Sequence, residues 1–173
     1  GADALRAVAP LRAVVVATSD KAYENTGQIW GYRESDPMGG HDPYSASKGA
    51  TEIATAAMRR SYFADGPTMH PARIATARAG NVIGGGDWAQ DRLVPDIVRG
   101  CLGAEGRVVL RRPNAVRPWQ HVLEPLDGYC RLAVALLDGA PVDSGWNFGP
   151  GQDDDRPVIE VARAVVAAHG QGR

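Results

Sequence analysis

Asp42-Pro43-Tyr44-Ser45-Ala46-Ser47-Lys48-Gly49 is the stretch around which this chain is organised. Aspartate is a strong helix N-cap, and the residue before a proline is kept out of the helical region, as an N-cap requires. Proline is also well suited to the first helical position, where its missing N–H costs nothing. Apolar residues then recur at helical spacing, so we predict one long helix from Pro43 to about Phe63.

Tyr44 and Lys48 lie four residues apart in this helix and therefore project from one face. A free tyrosine, with a pKa of about 10, is a poor base at neutral pH, but a cation held nearby favours the phenolate. The pair is therefore a candidate general base. The same spacing also occurs on ordinary surface helices, so the choice depends on the neighbouring segments.

Composition excludes several classes of function. Of the 173 residues, 44% are hydrophobic and 23% charged, as in a globular protein with a real core. The net charge of -1 gives no reason to expect nucleic acid or a membrane surface as a partner. Cys101 and Cys130 are isolated, so no metal site and no disulfide framework is predicted. With neither a membrane span nor a signal peptide in the sequence, we expect a cytoplasmic protein.

Predicted strands and helices alternate, which indicates an α/β fold with a mostly parallel, Rossmann-like sheet flanked by helices. The strands are expected over residues 13–17, 73–79, 108–110 and 146–148, and the helices over 43–63, 92–102, 123–137 and 157–169. Residues 24–42 are expected to form a long loop, 80–88 a turn, 113–121 a loop or an edge strand, and 153–155 a solvated loop. Polar side chains follow the first strand at Thr18-Ser19-Asp20-Lys21, and ligands bind at such carboxyl ends of parallel sheets.

Several segments, taken together and in this order, resemble the extended short-chain dehydrogenase/reductase family. They are residues 18–25, 31–34, 42–49, 78–88, 91–96, 117–126 and 146–150, and they cover the chain from about Val14 to Pro150. The resemblance implies that residues 1–82 are the C-terminal part of a Rossmann-like cofactor domain that carries the catalytic residues. Residues 83–173 would be largely a substrate region, from which one strand and one helix return to the sheet.

The resemblance also implies an activity. Asp20-Lys21 is similar to the family's 4,6-dehydratase branch for CDP-sugars, since the dTDP-sugar branch has glutamate after the aspartate. The implied reaction converts CDP-glucose to CDP-4-keto-6-deoxyglucose with NAD as cofactor. It proceeds by oxidation at C4, loss of water across C5 and C6, and return of the hydride to C6. A homodimer paired through the Tyr44 helix is implied as well.

Roles follow by the same resemblance, residue by residue. The catalytic set would be Tyr44, Lys48, Ser19, Asp20 and Lys21. Contacts with NAD would come from Thr18, Ser19, Tyr44, Lys48, Ala79, Gly80 and Val82. The nucleotide sugar would contact Asn81, Arg92, Leu93 and Arg117, since guanidinium groups are natural partners of a diphosphate.

One feature of the family is missing from the sequence. A full member has a strand, a G-x-G-x-x-G turn and a helix that hold the dinucleotide pyrophosphate, and no such segment occurs here. We therefore expect the catalytic middle of such an enzyme, with the N-terminal dinucleotide-binding half absent. Two alternatives stay open: an epimerase or reductase acting on another nucleotide sugar, and a non-catalytic remnant or binding and dimerisation module.

Overall fold

The structure, a computed structural model, describes residues 2–63 and 65–170. The helices are α1 (Ala2–Leu5), α2 (Pro43–Tyr62), α3 (Leu93–Leu102), α4 (Leu123–Leu137) and α5 (Val158–His169). The strands are β1 (Ala13–Ala17), β2 (Arg73–Ala79), β3 (Asn81–Ile83), β4 (Val116–His121), β5 (Gly145–Phe148) and β6 (Asp155–Pro157). Two short 3-10 turns cover Asp20–Ala22 and Gln152–Asp154.

The chain folds as two compact units. The first unit contains residues 1–80 and 123–148, and the second contains residues 81–122 and 149–173. The predicted division into a cofactor part (1–82) and a substrate part (83–173) is a functional one and stays a prediction.

The first unit is built on a parallel sheet with strand order β1-β2-β5. One face packs on α4, where Leu132 and Leu136 meet Ala75 and Ala77. The opposite face, which includes Ile74, packs on Phe63 and on Met58 of α2. Both faces of β2 are covered, which explains its long buried run and confirms the predicted α/β fold.

Because successive strand residues point to opposite faces, β2 has two different sides. Ala75 and Ala77 face α4, whereas Ile74 packs in the cluster on the α2 side. Thr76 and Arg78 follow Ile74 at steps of two residues and therefore also point toward α2. Both side chains are buried there, and they are the polar part of an otherwise apolar interface.

The second unit contains a smaller mixed sheet of strand order β3-β4-β6. β3 and β4 are parallel, whereas β4 and β6 are antiparallel. Beside this sheet, α3 and α5 share a core of Ile97, Cys101 and Ala162.

Three predictions of local structure in this unit were wrong. Residues 108–110 do not form a strand; Val108 and Leu110 instead pack their side chains against the core of α3 and α5. The predicted turn over 80–88 contains β3, and the predicted loop at 153–155 runs into β6. Strands of three residues depend on a distant partner, so local patterns do not reveal them. Residues 113–121, predicted to be a loop or an edge strand, contain β4 (Val116–His121), but β4 pairs with both β3 and β6 and is therefore the central strand of its sheet.

The long loop before α2 is attached to the first unit. Residues 24–42 form a loop that is tied to the first unit by a bridge between Tyr23 and Met38 and by a hydrogen bond from the Glu24 amide to Pro37 O. None of the helices in residues 2–63 and 65–170 has the length and apolar character needed to cross a membrane.

Candidate active site

The start of α2 is fixed by Asp42, as its sequence context predicts. Asp42 Oδ1 accepts hydrogen bonds from the backbone N–H of Tyr44 (2.9 Å) and of Ser45 (3.0 Å). Its Oδ2 accepts a third from Ser45 Oγ (2.6 Å). The bonds from the Ser45 hydroxyl and amide lower the pKa of Asp42, with smaller contributions from the Tyr44 amide and the charge of Lys21. The carboxylate form therefore caps the helix, and Lys21 lies close enough to affect it.

Tyr44 and Lys48 share one face of α2. Lys48 Nζ lies 5.7 Å from the centroid of the Tyr44 ring, within the range of a cation–π contact. Tyr44 is 50% exposed, so its hydroxyl is accessible to a ligand.

Ser19, Asp20 and Lys21 lie just beyond the carboxyl end of β1. Ser19 is buried; its hydroxyl donates to Asp20 Oδ1 (3.0 Å) and accepts from the Lys21 amide (3.2 Å). The side chains of Asp20 and Lys21 are exposed on the 3-10 turn. This turn therefore presents an acid and an amine at the strand end where ligands bind in parallel sheets.

The strand-end turn packs directly against α2. Ala22 is fully buried, and its carbonyl accepts a hydrogen bond from the Gly39 amide (2.9 Å). A Cβ added to Gly49 would lie 2.7 Å from Gly39 O and 3.3 Å from Ala22 O, so only glycine permits this approach. Gly49 directly follows Lys48. The first unit thus brings the helix of Tyr44 and Lys48 against the segment of Ser19, Asp20 and Lys21.

A buried polar network, which we did not predict, lies behind these residues. Glu52 of α2 forms an ion pair with Arg78 of β2, with 2.8 Å between Oε2 and Nη2, and the two side chains are 4% and 6% exposed. Glu52 also accepts hydrogen bonds from Thr18 Oγ1 and from Thr76 Oγ1. Burial alone would raise the pKa of Glu52, but these hydrogen bonds and the charge of Arg78 together lower it.

The remaining residues predicted to form the site lie at the end of the first unit or in the second. Ala79 ends β2 opposite Phe148, and Gly80 follows it. Asn81 and Val82 belong to β3, where Asn81 is paired with Trp119. In α3, Arg92 occupies the N-cap position and Leu93 packs on the core of that unit.

Arg117 has an arginine neighbour that sequence reasoning missed. Arg117 on β4 is directly opposite Arg156 on β6, and both side chains are exposed. Arg117 Nη1 donates to Val116 O (3.0 Å), and Arg156 Nε lies 3.8 Å from Glu160 Oε2. Like charges directly across a strand pair are unfavourable, so an anion bound between them would be stabilising.

The residues at the β1 end and on α2 fit one part of a nicotinamide dinucleotide. The accessible Tyr44 hydroxyl and the Lys48 ammonium offer donors of the kind that ribose hydroxyls accept. Among the described residues, no group of three or more His, Cys, Asp or Glu side chains is arranged to hold a metal ion. The predicted site residues carry hydroxyl, ammonium, carboxylate and guanidinium groups.

Parallel strands with helices on both faces, and a Tyr-x-x-x-Lys helix beside a strand end, define a Rossmann-type α/β protein. The sequence profile of the NAD dependent epimerase/dehydratase family matches residues 2–143, so the chain belongs to this family. The predicted extended short-chain dehydrogenase/reductase relationship is therefore confirmed, and NAD is the cofactor of that family.

Two curated relatives within this family are 4,6-dehydratases of nucleotide sugars. The chain is 48% identical over 170 residues to the CDP-glucose 4,6-dehydratase of Salmonella typhimurium, covering 97% of this chain and 47% of the relative. It is 25% identical over 156 residues to the dTDP-glucose 4,6-dehydratase of Xanthomonas campestris, covering 90% of this chain and 40% of the relative. The chain therefore spans somewhat less than half the length of these curated relatives.

Solved structures share the fold. A dTDP-glucose 4,6-dehydratase from Bacillus anthracis in complex with NAD superposes with a TM-score of 0.73 at 21% identity, covering 99% of this chain and 50% of that chain. A UDP-galactose 4-epimerase superposes with a TM-score of 0.78 at 19% identity, covering 98% and 52%. At such identities these structures establish the fold and do not choose between dehydratase and epimerase.

Proposed function

We propose that this protein is a nucleotide-sugar 4,6-dehydratase that converts CDP-glucose to CDP-4-keto-6-deoxyglucose. The observation that carries the proposal is the 48% identity, over 97% of the chain, to the Salmonella CDP-glucose 4,6-dehydratase. The Asp20-Lys21 pair favours a dehydratase over a simple 4-epimerase, because an epimerase needs no acid for elimination. The exposure of both side chains on the strand-end turn supports their availability to a substrate.

When bound, NAD would supply the hydride acceptor for C4 of the sugar and the hydride donor for C6. Tyr44 takes the proton of the 4-hydroxyl, and the Lys48 ammonium lies 5.7 Å from the centroid of its ring. Ser19 would share a hydrogen bond with the 4-oxygen, for which its hydroxyl hydrogen has to turn from Asp20 Oδ1 toward the substrate. Tyr44 and Lys48 would also hold the nicotinamide ribose, beside the backbone of Ala79 and Gly80.

The elimination step uses the turn after β1. A ketone at C4 acidifies the proton at C5. Lys21 is the candidate base for this proton; the role requires a neutral amine, and a proton must return to C5 when the hydride reaches C6. Asp20 gives its proton to the C6 hydroxyl, which leaves as water. General acid and base groups contribute most when each is held within hydrogen-bond reach of its proton. Placement of the turn is therefore central to this proposal.

The nucleotide-sugar diphosphate is assigned to the second unit. Arg117 and Arg156 form a pair of guanidinium groups on neighbouring strands, and such groups bind phosphate oxygens in bidentate fashion. Asn81, Val82, Arg92 and Leu93 complete the proposed contacts with substrate and cofactor. The homodimer paired through α2 and the cytoplasmic location both stay predictions.

The test is a conversion assay on the purified full-length protein with CDP-glucose and added NAD. A 4-keto product, detected by its absorbance in alkali, would support the proposal, and Tyr44→Phe should abolish it. An epimerised CDP-sugar that has kept its water would establish the epimerase alternative. No conversion of CDP-glucose or dTDP-glucose would leave the non-catalytic remnant or binding module.

A further inference from the structure

We propose that the buried Glu52–Arg78 pair is a positioning device that holds the Ser19-Asp20-Lys21 segment by both of its ends against α2. The functional part of this inference rests on the proposed dehydratase activity, whereas the structural part does not. Neither residue belongs to the predicted catalytic or binding set.

The first end of the segment is held through Glu52. Its Oε1 accepts the hydrogen bond from Thr18 Oγ1, and Thr18 directly precedes Ser19. The Thr18 amide also donates to Ala77 O (2.8 Å), which continues the β1–β2 ladder. The segment therefore leaves the sheet from a residue fixed by both its main chain and its side chain.

The second end of the segment is held through Arg78. Arg78 Nη1 donates to Tyr23 Oη (2.6 Å), and the Tyr23 hydroxyl donates in turn to Asn147 Oδ1 (2.6 Å). Tyr23 is 4% exposed and lies at the C-cap of the 3-10 turn. The five contiguous residues from Ser19 to Tyr23 are thus anchored immediately before their start and at their last residue.

The same carboxylate also orients α2. Glu52 follows Tyr44 and Lys48 at steps of eight and four residues, so all three lie along one face of the helix. Glu52 Oε2 accepts from Thr76 Oγ1 (2.7 Å) and from Arg78 Nη2 (2.8 Å), both on β2. A single buried side chain therefore links the helix of Tyr44 and Lys48 to the segment of Asp20.

The neighbouring strand β5 leaves room for the Arg78 side chain. A Cβ on Gly145 of β5 would overlap the Arg78 guanidinium, so the neighbouring strand has to lack a side chain at this point. Burial and mutual charge act in opposite directions on both partners, yet the net effect keeps Glu52 as a carboxylate and Arg78 as a cation. The network is therefore ionised, directional and enclosed, as precise positioning requires.

Two isosteric substitutions, each at a threonine that donates to the Glu52 carboxylate, distinguish a positioning role of the pair from a purely stabilising one. Thr18→Val removes a hydrogen bond to Glu52 at the end of the segment, and Thr76→Val removes one from β2. A purely structural role would make the two variants alike. Tyr23→Phe removes the anchor at the other end and should behave like Thr18→Val.

The first readout needs no activity: hydrogen–deuterium exchange of the full-length protein. The amides of Lys21, Ala22 and Tyr23 are bonded to Ser19 Oγ, Ser19 O and Asp20 O. In Thr18→Val and Tyr23→Phe they should exchange about tenfold faster or more, and in Thr76→Val at the wild-type rate. Equal exchange in all three variants would overturn the proposal.

The second readout is steady-state kinetics with CDP-glucose, at a temperature where near-UV circular dichroism shows every variant folded. Thr18→Val and Tyr23→Phe should lower kcat about tenfold or more with KM within about twofold, since misplacement affects the chemical steps. Thr76→Val leaves the Arg78 bond to Glu52 and both anchors of the segment in place, so its kcat should stay within about twofold of wild type. Equal losses of kcat in Thr18→Val and Thr76→Val would refute the inference while the dehydratase proposal stands. A wild-type protein inactive on CDP-glucose, with the expected exchange pattern, would refute the dehydratase proposal while the positioning role stands.

Discussion

Replacing Gly49 by alanine tests how closely α2 must approach the strand-end segment. Gly49 is buried in the helix directly after Lys48. Glycine is a poor helix former, so alanine at an exposed site of this kind would add about 1 kcal/mol of stability. The structure predicts the opposite sign, because the new methyl group would meet main-chain atoms.

The magnitude follows from the contacts. The added Cβ would lie 2.7 Å from Gly39 O, about 0.7 Å closer than ordinary contact at 3.4 Å, and 3.3 Å from Ala22 O. Neither carbonyl can rotate away as a side chain would, and the two residues are tied together by the Gly39 N–H to Ala22 O bond. Overpacking of this kind costs about 1–3 kcal/mol, and rigid partners place it near the upper end. After the gain in helix propensity, a net loss of about 2 kcal/mol remains.

The assay is thermal unfolding of the full-length protein, followed by circular dichroism. A loss of about 2 kcal/mol corresponds to a Tm lower by about 4–8 °C for a domain of this size. Ser47→Ala is the matched control, because Ser47 lies in the same helix but is exposed; its Tm should stay within about 2 °C of wild type. A Gly49→Ala protein as stable as wild type, or more stable, would show that α2 is not held this close to Gly39 and Ala22.

Four further outcomes follow from the structure. Leu136→Ala should cost about 2–5 kcal/mol in urea unfolding because Leu136 is 2% exposed, whereas Leu137→Ala, at 41% exposure, should cost less than about 0.5 kcal/mol. Asp42→Ala should lower the Tm and Asp42→Asn much less, since asparagine also caps helices; equal losses would argue against capping. The pKa of Glu52 is lowered on folding, so the stability from its ionisation is present above the usual value of 4.5 and is lost as the pH falls through the lower folded-state pKa. Unfolding of Glu52→Gln between about pH 3 and pH 6 should therefore depend less steeply on pH than that of wild type. Arg156→Gln should raise the KM for CDP-glucose about tenfold with kcat nearly unchanged, and an unchanged KM would remove Arg156 from the diphosphate site.

Much of the architecture near the proposed site was predictable because its signals are local. The N-cap by Asp42 depends on residues adjacent in sequence, and the structure shows the capping bonds. β1 and β2 were predicted with their observed limits; β1 is a short β-branched run between polar residues, and β2 ends just before a glycine. The shared face of Tyr44 and Lys48 follows from helix geometry alone.

The Glu52–Arg78 pair was not predicted because its partners are 26 residues apart, on a helix and a strand. A signal was nevertheless present in each element. Glu52 lies one turn after Lys48, on the helix face that also carries Tyr44. An acidic side chain on a helix face that packs on a sheet requires a hydrogen-bonding or charged partner there. Thr76 and Arg78 alternate with Ala75 and Ala77, which places two polar side chains on one face of a buried strand.

The chemistry of this pair also argues for a role beyond stability. A buried ion pair loses much of its attraction to the desolvation of both charges, so apolar residues of similar volume often stabilise a fold as well or better. Apolar packing is not directional, however, and it would leave the strand-end turn able to rotate about its ends. Hydrogen bonds from Thr18 to Glu52 and from Arg78 to Tyr23 fix both position and orientation. Such fixation matters most where an acid and a base must each be held within reach of a particular proton, as proposed for Asp20 and Lys21.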